Sequence, residues 1–311
     1  MPTRLLVIGG PTACGKSALA LELAERFCGT VINADSMQIY RDLRVVTARP
    51  DRADEARAPH RLYGALDGAE LCSAARWAGM AATEISAVEG EGRLPILVGG
   101  TGLYLRGLLQ GMAAVPPIPA ESRTAARALH AELGARAFHA ALARLDPESA
   151  ARLHPNDTQR VIRAYEVVTG TGRPLGAWVA SSGAADPAVA RYDARIVTLM
   201  PPRDILYAAC EARLDAMMAA GALEEVEALL RRNLAPDLPI LKAVGVPELA
   251  RLIRGEQPHA AALAEAKQAT RRYAKRQYTW FRHQLTADWQ VDAQFSNSLI
   301  VEIGQKIRNW S

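Results

Sequence analysis

The sequence predicts an α/β protein in which a parallel sheet carries helices on both faces and an all-helical domain is inserted into the chain. Short apolar runs alternate with segments that are apolar at helical spacing up to Gly107, and an apolar run returns near residue 195. Only helical patterns occur between them. At 311 residues, 50% hydrophobic and 23% charged, the chain is long enough for two folded units, and its composition excludes extensive disorder.

The predicted core elements follow one another as alternating strands and helices. The first strand ends at Gly9-Gly10 and leads into a helix, and Pro201-Pro202 separates the last predicted strand from the helices that follow it. The predicted strands are 4–8, 31–34, 94–98 and 195–199, and the predicted core helices are 17–28, 73–89, 203–219, 221–232, 245–254 and 258–285.

The insertion begins where this alternation stops. VPPIP at 115–119 excludes a regular helix and a central strand, because proline lacks the backbone N–H that both require. Helical patterns and then a loop around Ser181–Pro187 follow it. The predicted helices of this region are 121–133, 135–144, 147–152 and 157–169. We therefore expect a core made of residues 1–112 and 193–311, with a helical insertion over 113–192.

Charge and cysteine content narrow the class of protein. The net charge of +4 is a weak indication of a polyanionic partner. The four cysteines form no CxxC pair and no Cys/His cluster, which argues against structural zinc or a disulfide framework and favours a reduced, cytoplasmic chain. No apolar run approaches the roughly 18 residues of a membrane span, and the apolar stretch at the N-terminus is too short for a signal peptide.

A glycine-rich loop carries the strongest chemical signal. Residues 10–17, GPTACGKS, match G-x-x-x-x-G-K-[ST] between a predicted strand and a predicted helix, which indicates a P-loop NTPase-like core and a ligand with a diphosphate. The glycines allow successive N–H groups to face the phosphates, Lys16 is expected to reach their outer oxygens, and Ser17 to place its hydroxyl on Mg²⁺. The predicted ligand-binding residues are Gly10, Pro11, Thr12, Ala13, Cys14, Gly15, Lys16 and Ser17.

Two further turns are expected beside this loop, at the same edge of the sheet. The strand at 31–34 delivers Asp35, whereas the strand at 94–98 ends in VGGT rather than in the aspartate typical of P-loop ATPases. Asp35 could hold Mg²⁺, act as a general base, or simply cap the turn that follows it. In the second turn Thr101 offers a hydroxyl between glycines, although a plain strand-to-helix turn has the same composition.

A basic, aromatic segment near the C-terminus predicts contact with nucleic acid. Residues 267–283 hold six Lys/Arg side chains and no acid, with Tyr273, Tyr278, Trp280 and Phe281 interleaved. A basic helical face neutralises phosphates and aromatic rings can stack on unpaired bases, whereas a merely solvated helix usually interleaves acids. The predicted contacts on this helix are Arg271, Lys275 and Arg276.

Other basic residues give weaker signals. Arg160 and Arg163 share one side of the predicted helix at 157–169, but Glu166 could simply pair with Arg163. Arg203 begins a helix after a strand and could neutralise a diphosphate, or it could be an ordinary surface arginine.

Together these segments resemble the tRNA dimethylallyltransferase (tRNA isopentenyltransferase) family. The resemblance follows the same order over nearly the whole chain. The matching strings are GPTACGKS at 10–17, NADSMQIY at 33–40, VGGTGLYL at 98–105, DP…HPNDTQRVIRAYEV at 146–167 and AKRQYTWFR at 274–282. The resemblance implies transfer of a dimethylallyl group from its diphosphate to the exocyclic amine of the adenosine just 3′ of the anticodon. It also implies Mg²⁺ as cofactor and an insertion that grips the anticodon stem-loop.

The resemblance also assigns roles to residues. It implies that Asp35 is the general base and that Thr101 contacts the target adenosine; with Lys16 and Arg203, these are the expected catalytic residues. The implied tRNA contacts are Asp35, Ser36, Met37, Gln38, Thr101, Arg123, Gln159, Arg160, Val161, Ile162 and Arg163. Two positions depart from the family pattern. Cys14 replaces a more common serine, and VGVPE at 244–248 replaces a VGY segment followed by a basic residue and glutamine, so no tRNA contact is assigned there.

Two alternatives remain at this level. A small-molecule kinase of the adenylate or shikimate kinase type would share the glycine-rich loop and use the insertion as a lid, but it would not need the basic helix. A non-catalytic, nucleotide-gated RNA-binding protein would not need Asp35. The expected partners are tRNA and dimethylallyl diphosphate, without a membrane, and nothing in the sequence demands more than a monomer.

Overall fold

The computed structural model describes residues 2–113, 115–181 and 191–310. The chain divides into two compact units, residues 1–109 with 190–311, and residues 110–189. Most of the loop predicted around Ser181–Pro187 lies outside the described residues.

The first unit contains a six-stranded sheet in the order β3-β2-β4-β1-β5-β6, with every neighbouring pair parallel. The strands are β1 (Thr3–Gly9), β2 (Gly29–Asn33), β3 (His60–Arg61), β4 (Leu94–Gly99), β5 (Tyr192–Leu199) and β6 (Trp289–Val291). The four predicted strands occupy the four central places. The edge strands β3 and β6 were not predicted, because two or three residues are too few to show a hydrophobic pattern.

Along the chain, helices lie between these strands, and one more follows the last strand. In chain order, those of the described residues are α1 (Lys16–Arg26), α2 (Arg52–Arg57), α3 (Ala74–Gly90), α4 (Gly102–Gln110), α5 (Ala120–Leu145), α6 (Pro147–Arg152), α7 (Thr158–Thr171), α8 (Leu175–Ser181), α9 (Arg203–Ala219), α10 (Ala222–Arg231), α11 (Val246–Ile253), α12 (His259–Gln284) and α13 (Asn297–Arg308). None of them is both long enough and apolar enough to cross a membrane.

Both faces of the sheet are buried. Along β1, Leu5 and Val7 belong to one hydrophobic cluster, and Leu6 and Ile8 belong to a second cluster. Because successive side chains of a strand point to opposite faces, the two clusters lie on opposite sides of the sheet. Burial on both faces explains why β1 is an unbroken apolar run, and the α/β fold class predicted from the sequence is confirmed.

The second unit consists of α5, α6, α7 and α8 in the described residues and has its own small core. Phe138 and Leu142 of α5 pack with Val161 and Val168 of α7. A break at Gly134, where φ is 72°, divides α5 at the point where the sequence predicts two separate helices.

Candidate active site

A cavity of about 380 Å³ opens at the carboxyl ends of β1, β2 and β4, within the first unit. Parallel strands end at the same edge of a sheet, so the loops that follow them meet there. The lining residues are Thr12, Ala13, Gly15, Lys16, Ser17, Ala18, Asp35, Gln38, Thr47, Ala48, Val98, Gly99, Gly100, Ala209, Arg213, Gln277 and Gln294. The glycine-rich loop and Asp35, which are far apart in sequence, therefore share one cavity.

The glycine-rich loop turns tightly between β1 and α1. Gly15 has a φ of 94°, and a side chain at this position would overlap Phe295. The ammonium of Lys16 donates to the carbonyl oxygen of Pro11 at 2.6 Å, so it lies folded across the loop. Ser17 lies in the first turn of α1 and lines the cavity. This arrangement gives an anion several N–H donors, a positive helix end and one ammonium group.

Cys14 is part of this loop. Its side chain is fully buried, and burial raises the pKa of the Cys14 thiol. The Lys16 ammonium lies 3.8 Å from the sulfur. A buried thiol with a raised pKa is protonated at neutral pH, which fits a packing role for Cys14.

Asp35 is held at the end of β2 by its neighbours. Its backbone N–H donates to Oδ1 of Asn33 at 2.8 Å, and its own Oδ1 accepts from the N–H groups of Met37 at 2.8 Å and Gln38 at 3.4 Å. The carboxylate thus caps the following turn, which is one of the roles considered from the sequence. Among the described residues no hydrogen bond is made to its second oxygen, Oδ2, while the residue lines the cavity.

The loop after β4 is tied to the loop after β2. The Thr101 hydroxyl accepts from the N–H of Ser36 at 2.9 Å and donates to the Ser36 hydroxyl at 3.3 Å. Thr101 itself is not among the residues that line the cavity, whereas Gly99 and Gly100 are. The side chain of Gln38 donates to the carbonyl oxygens of Thr47 and Ala48 at 2.8 and 2.9 Å. These three residues also line the cavity.

Arg213 of α9 lines the cavity although no sequence motif marks it. Its guanidinium donates to the Thr12 hydroxyl, and burial lowers the pKa of Arg213. The arginine predicted from the sequence, Arg203, starts the same helix but is exposed and lies over the ring of Tyr278, 5.4 Å from its centroid. It does not line the cavity, so its predicted role in neutralising the diphosphate stays a prediction.

Two of the basic side chains of α12 form ion pairs that its own sequence does not show. Lys267 pairs with Asp215 at 2.8 Å and Arg271 pairs with Glu211, both acids belonging to α9. Lys275 and Arg276 are exposed. The sequence pattern missed these pairs because it compared charges only along α12 itself.

The aromatic residues of α12 mostly pack inward. Phe281 is 2% exposed, and Tyr278 and Trp280 are partly buried against the core. Burial, with the nearby Asp35 carboxylate as the next cause, raises the pKa of the Tyr273 hydroxyl. Because it is buried, the ring of Phe281 is not available to stack on a base.

Comparison with known proteins identifies the family. The model of the IPP transferase family matches residues 38–284. The chain belongs to this family. It is 58% identical over 290 residues to the tRNA dimethylallyltransferase of Rhodospirillum centenum, covering 93% of this chain and 91% of that protein. It is 56% identical over 301 residues to the enzyme of the same name from Rhodospirillum rubrum, covering 97% and 90%.

Solved structures of the IPP transferase family agree with the fold. The tRNA isopentenylpyrophosphate transferase of Bacillus halodurans superposes with a TM-score of 0.71 at 33% identity, covering 99% of this chain and 96% of that one. A eukaryotic dimethylallyltransferase acting on tRNA gives a TM-score of 0.81 at 25% identity, covering 99% and 80%. The predicted family is confirmed, and the kinase alternative is not favoured.

The predicted tRNA contacts of the second unit lie on α5 and α7. Arg123 is exposed. Arg160 lies 3.5 Å from Asp157, and Arg163 lies 3.5 Å from Glu166, as considered from the sequence. The side chain of Val161 is only 1% exposed and belongs to the unit core, which leaves its predicted contact to the backbone. These assignments, with Gln159 and Ile162, stay predictions.

The donor set for a metal is small. Within the described residues no group of three or more His, Cys, Asp or Glu side chains converges. Mg²⁺ bound to a diphosphate normally takes one or two protein oxygens and completes its shell with phosphate and water. Ser17 offers a hydroxyl oxygen to the cavity, so the residues present fit a site in which one protein oxygen holds the ion.

Proposed function

We propose that the protein transfers the dimethylallyl group of dimethylallyl diphosphate to the exocyclic amine of the adenosine 3′ to the anticodon in tRNA. One observation carries the proposal: a glycine-rich phosphate loop and the carboxylate of Asp35 line the same cavity in a member of the IPP transferase family. Relatives that are 58% and 56% identical to this chain are named tRNA dimethylallyltransferase.

The diphosphate leaves with developing negative charge, which the cavity is built to receive. The loop N–H groups, the Lys16 ammonium and the Arg213 guanidinium surround the space above the loop. On binding, Lys16 exchanges the Pro11 carbonyl oxygen for a phosphate oxygen. Donors fixed in advance stabilise the leaving group without reorganising during the reaction.

Ser17 is the residue that would hold Mg²⁺ through its hydroxyl. Bound there, Mg²⁺ supplies further positive charge to the diphosphate. Leaving Asp35 free of the metal keeps its carboxylate for proton transfer.

The adenine amine is a weak nucleophile because its lone pair is delocalised into the ring. A bond forms between this nitrogen and the allylic carbon, the carbon–oxygen bond to the diphosphate breaks, and the nitrogen loses a proton. Oδ1 of Asp35 is occupied by two backbone N–H groups, so Oδ2 is the oxygen that accepts the proton. The protein otherwise holds the two substrates close and in line.

We assign tRNA binding to basic side chains outside the cavity. Lys275 and Arg276 are exposed on α12, and Arg123 is exposed on α5. Contacts to backbone phosphates offset the cost of unstacking the adenosine, which is on the order of a few kcal/mol. The target adenosine then meets the segment from Asp35 to Gln38 and Thr101. We further assign the protein to the cytoplasm as a monomer.

Incubation with radiolabelled dimethylallyl diphosphate and unmodified tRNA tests the proposal. Nucleoside analysis is expected to show label in isopentenyladenosine, with no product when the target adenosine is replaced by guanosine. A parallel incubation with γ-labelled ATP tests the kinase alternative. Transfer of the γ-phosphate with no labelled nucleoside would contradict the proposal.

A further inference from the structure

A buried glutamine of α12 lies between the loop after β1 and the loop after β4, both of which line the cavity. Gln277 is 6% exposed and lines the cavity, while its neighbours Lys275 and Arg276 are exposed. Most buried amide groups are hydrogen-bonded, so the partners of Gln277 show what its side chain holds.

Both ends of the Gln277 amide are bonded, each to a different loop. Its Oε1 accepts from the backbone N–H of Thr12 at 2.8 Å, in the phosphate loop after β1. Its Nε2 donates to the carbonyl oxygen of Gly100 at 2.9 Å, in the loop after β4 that also carries Thr101. One side chain therefore connects the loop for the diphosphate to the loop for the acceptor base.

Gly100 is shaped to receive this amide. A Cβ atom at position 100 would overlap Nε2 of Gln277. The backbone of Gly100 does not have a positive φ, so close approach of the glutamine, rather than backbone conformation, requires glycine at this position.

We propose that Gln277 is a positioning residue that fixes the spacing between the phosphate loop and the Thr101 loop, and so holds the allylic carbon and the adenine amine at reactive distance. The inference rests on the proposed function. It predicts a loss of turnover rather than of tRNA affinity, because small errors in the alignment of two reactants act on the chemical step. It also predicts that the two hydrogen bonds of the Gln277 side chain matter more for turnover than its volume.

The test compares Gln277→Met with Gln257→Met. Methionine keeps the length of the side chain and removes both hydrogen bonds. Gln257 is a second buried glutamine, whose amide donates to the Glu248 carbonyl oxygen at 3.0 Å, and it does not line the cavity. We expect Gln277→Met to lower kcat about tenfold or more with tRNA Kd within about twofold of wild type, and Gln257→Met to lose stability without losing kcat.

Gly100→Ala disrupts the hydrogen bond between Gln277 and Gly100 from the Gly100 side, because the added methyl group would overlap Nε2 of Gln277. We expect it to lower kcat as Gln277→Met does, and we expect the double variant to lose little beyond either single change, because both remove one interaction. A kcat near wild type in Gln277→Met, fully multiplicative losses in the double variant, or an equal kcat loss in Gln257→Met would overturn the inference. If Gln277→Met does not fold, a near-normal kcat in Gly100→Ala overturns it alone.

Binding of inorganic pyrophosphate separates this inference from the proposed function. Since Gln277 orders the phosphate loop, Gln277→Met is expected to weaken pyrophosphate binding several-fold, whether or not prenyl transfer is the reaction. Absence of prenyl transfer by the wild-type protein would refute the proposed function; unchanged pyrophosphate affinity and kcat in Gln277→Met would refute only the role of Gln277.

Discussion

Asp35 caps a turn with one carboxylate oxygen and, in the proposed reaction, accepts a proton with the other. Oδ1 caps the turn through the N–H groups of Met37 and Gln38, and Oδ2 is left for the substrate. The sequence presented capping and catalysis as alternatives, and the geometry allows both.

We expect Asp35→Asn to lower the rate of prenyl transfer by about 100-fold, because an amide still caps the turn but cannot accept the proton. Single-turnover assays with saturating substrates measure this rate, and tRNA binding should stay within about twofold of wild type. Asp51→Asn, which changes an exposed capping aspartate at α2, is the matched control and should remain fully active. Near-normal transfer by Asp35→Asn would remove the base assignment.

The two arginines of α9 provide a second test at the residue scale. Arg213→Ala should weaken pyrophosphate binding about tenfold or more, because it removes a partly buried cation from the cavity wall. Arg203→Ala should have a smaller effect, since that guanidinium lies over Tyr278. Titration calorimetry with pyrophosphate and Mg²⁺ measures both. A larger loss in Arg203→Ala would restore the assignment made from the sequence.

At the scale of elements, α12 shows how a helix can serve two purposes. Phe281 and Gln277 anchor it to the core and the cavity, while Lys275 and Arg276 face outward. Its length and its position along the chain were predicted from hydrophobic periodicity within one residue at each end. Its ion pairs with α9 were not, because the partners lie 52 and 60 residues away in sequence.

Removing the outward charges should change the salt dependence of tRNA binding. We expect Lys275→Ala with Arg276→Ala to reduce the slope of log K against log salt by about 1 for each side chain. Arg271→Ala should reduce it less, because Glu211 already pairs with that guanidinium. Arg251→Ala with Arg254→Ala, a double change of paired arginines near the end of α11, is the charge-matched control. An unchanged slope in the first variant would make α12 a structural helix.

At the scale of the whole molecule, the described residues form two compact units with separate cores. The cavity and all its lining residues belong to the unit that carries the sheet. The second unit has a small hydrophobic core, so truncating one large side chain in it should strongly destabilise that unit.

Phe138→Ala should destabilise the second unit by about 3–5 kcal/mol. Phe138 is fully buried and its ring lies 4.8 Å from that of Tyr165. We expect weaker tRNA binding and unchanged pyrophosphate binding, each measured by calorimetry on the full chain. Leu145→Ala, at a position 45% exposed in the same helix, should change neither. A loss of pyrophosphate affinity in Phe138→Ala would contradict the prediction that diphosphate binding depends on the first unit alone.

The sequence alone determined the features that depend on residues close together along the chain. The strands at the centre of the sheet, the break between two helices at Gly134 and the phosphate loop all follow from local hydrophobic spacing and from glycines at turns. The family followed from short motifs in a fixed order.

Only the tertiary structure decided which distant residues meet. Arg213 carries no motif. Gln277 lies within AKRQYTWFR at 274–282 but received no role from the sequence, and its amide reaches Thr12 across 265 residues of sequence. The edge strands β3 and β6 are too short for a pattern and form because a neighbouring strand offers free hydrogen-bonding groups. Folding brings such groups together through long-range packing, and periodicity along the chain holds no information about partners that far apart.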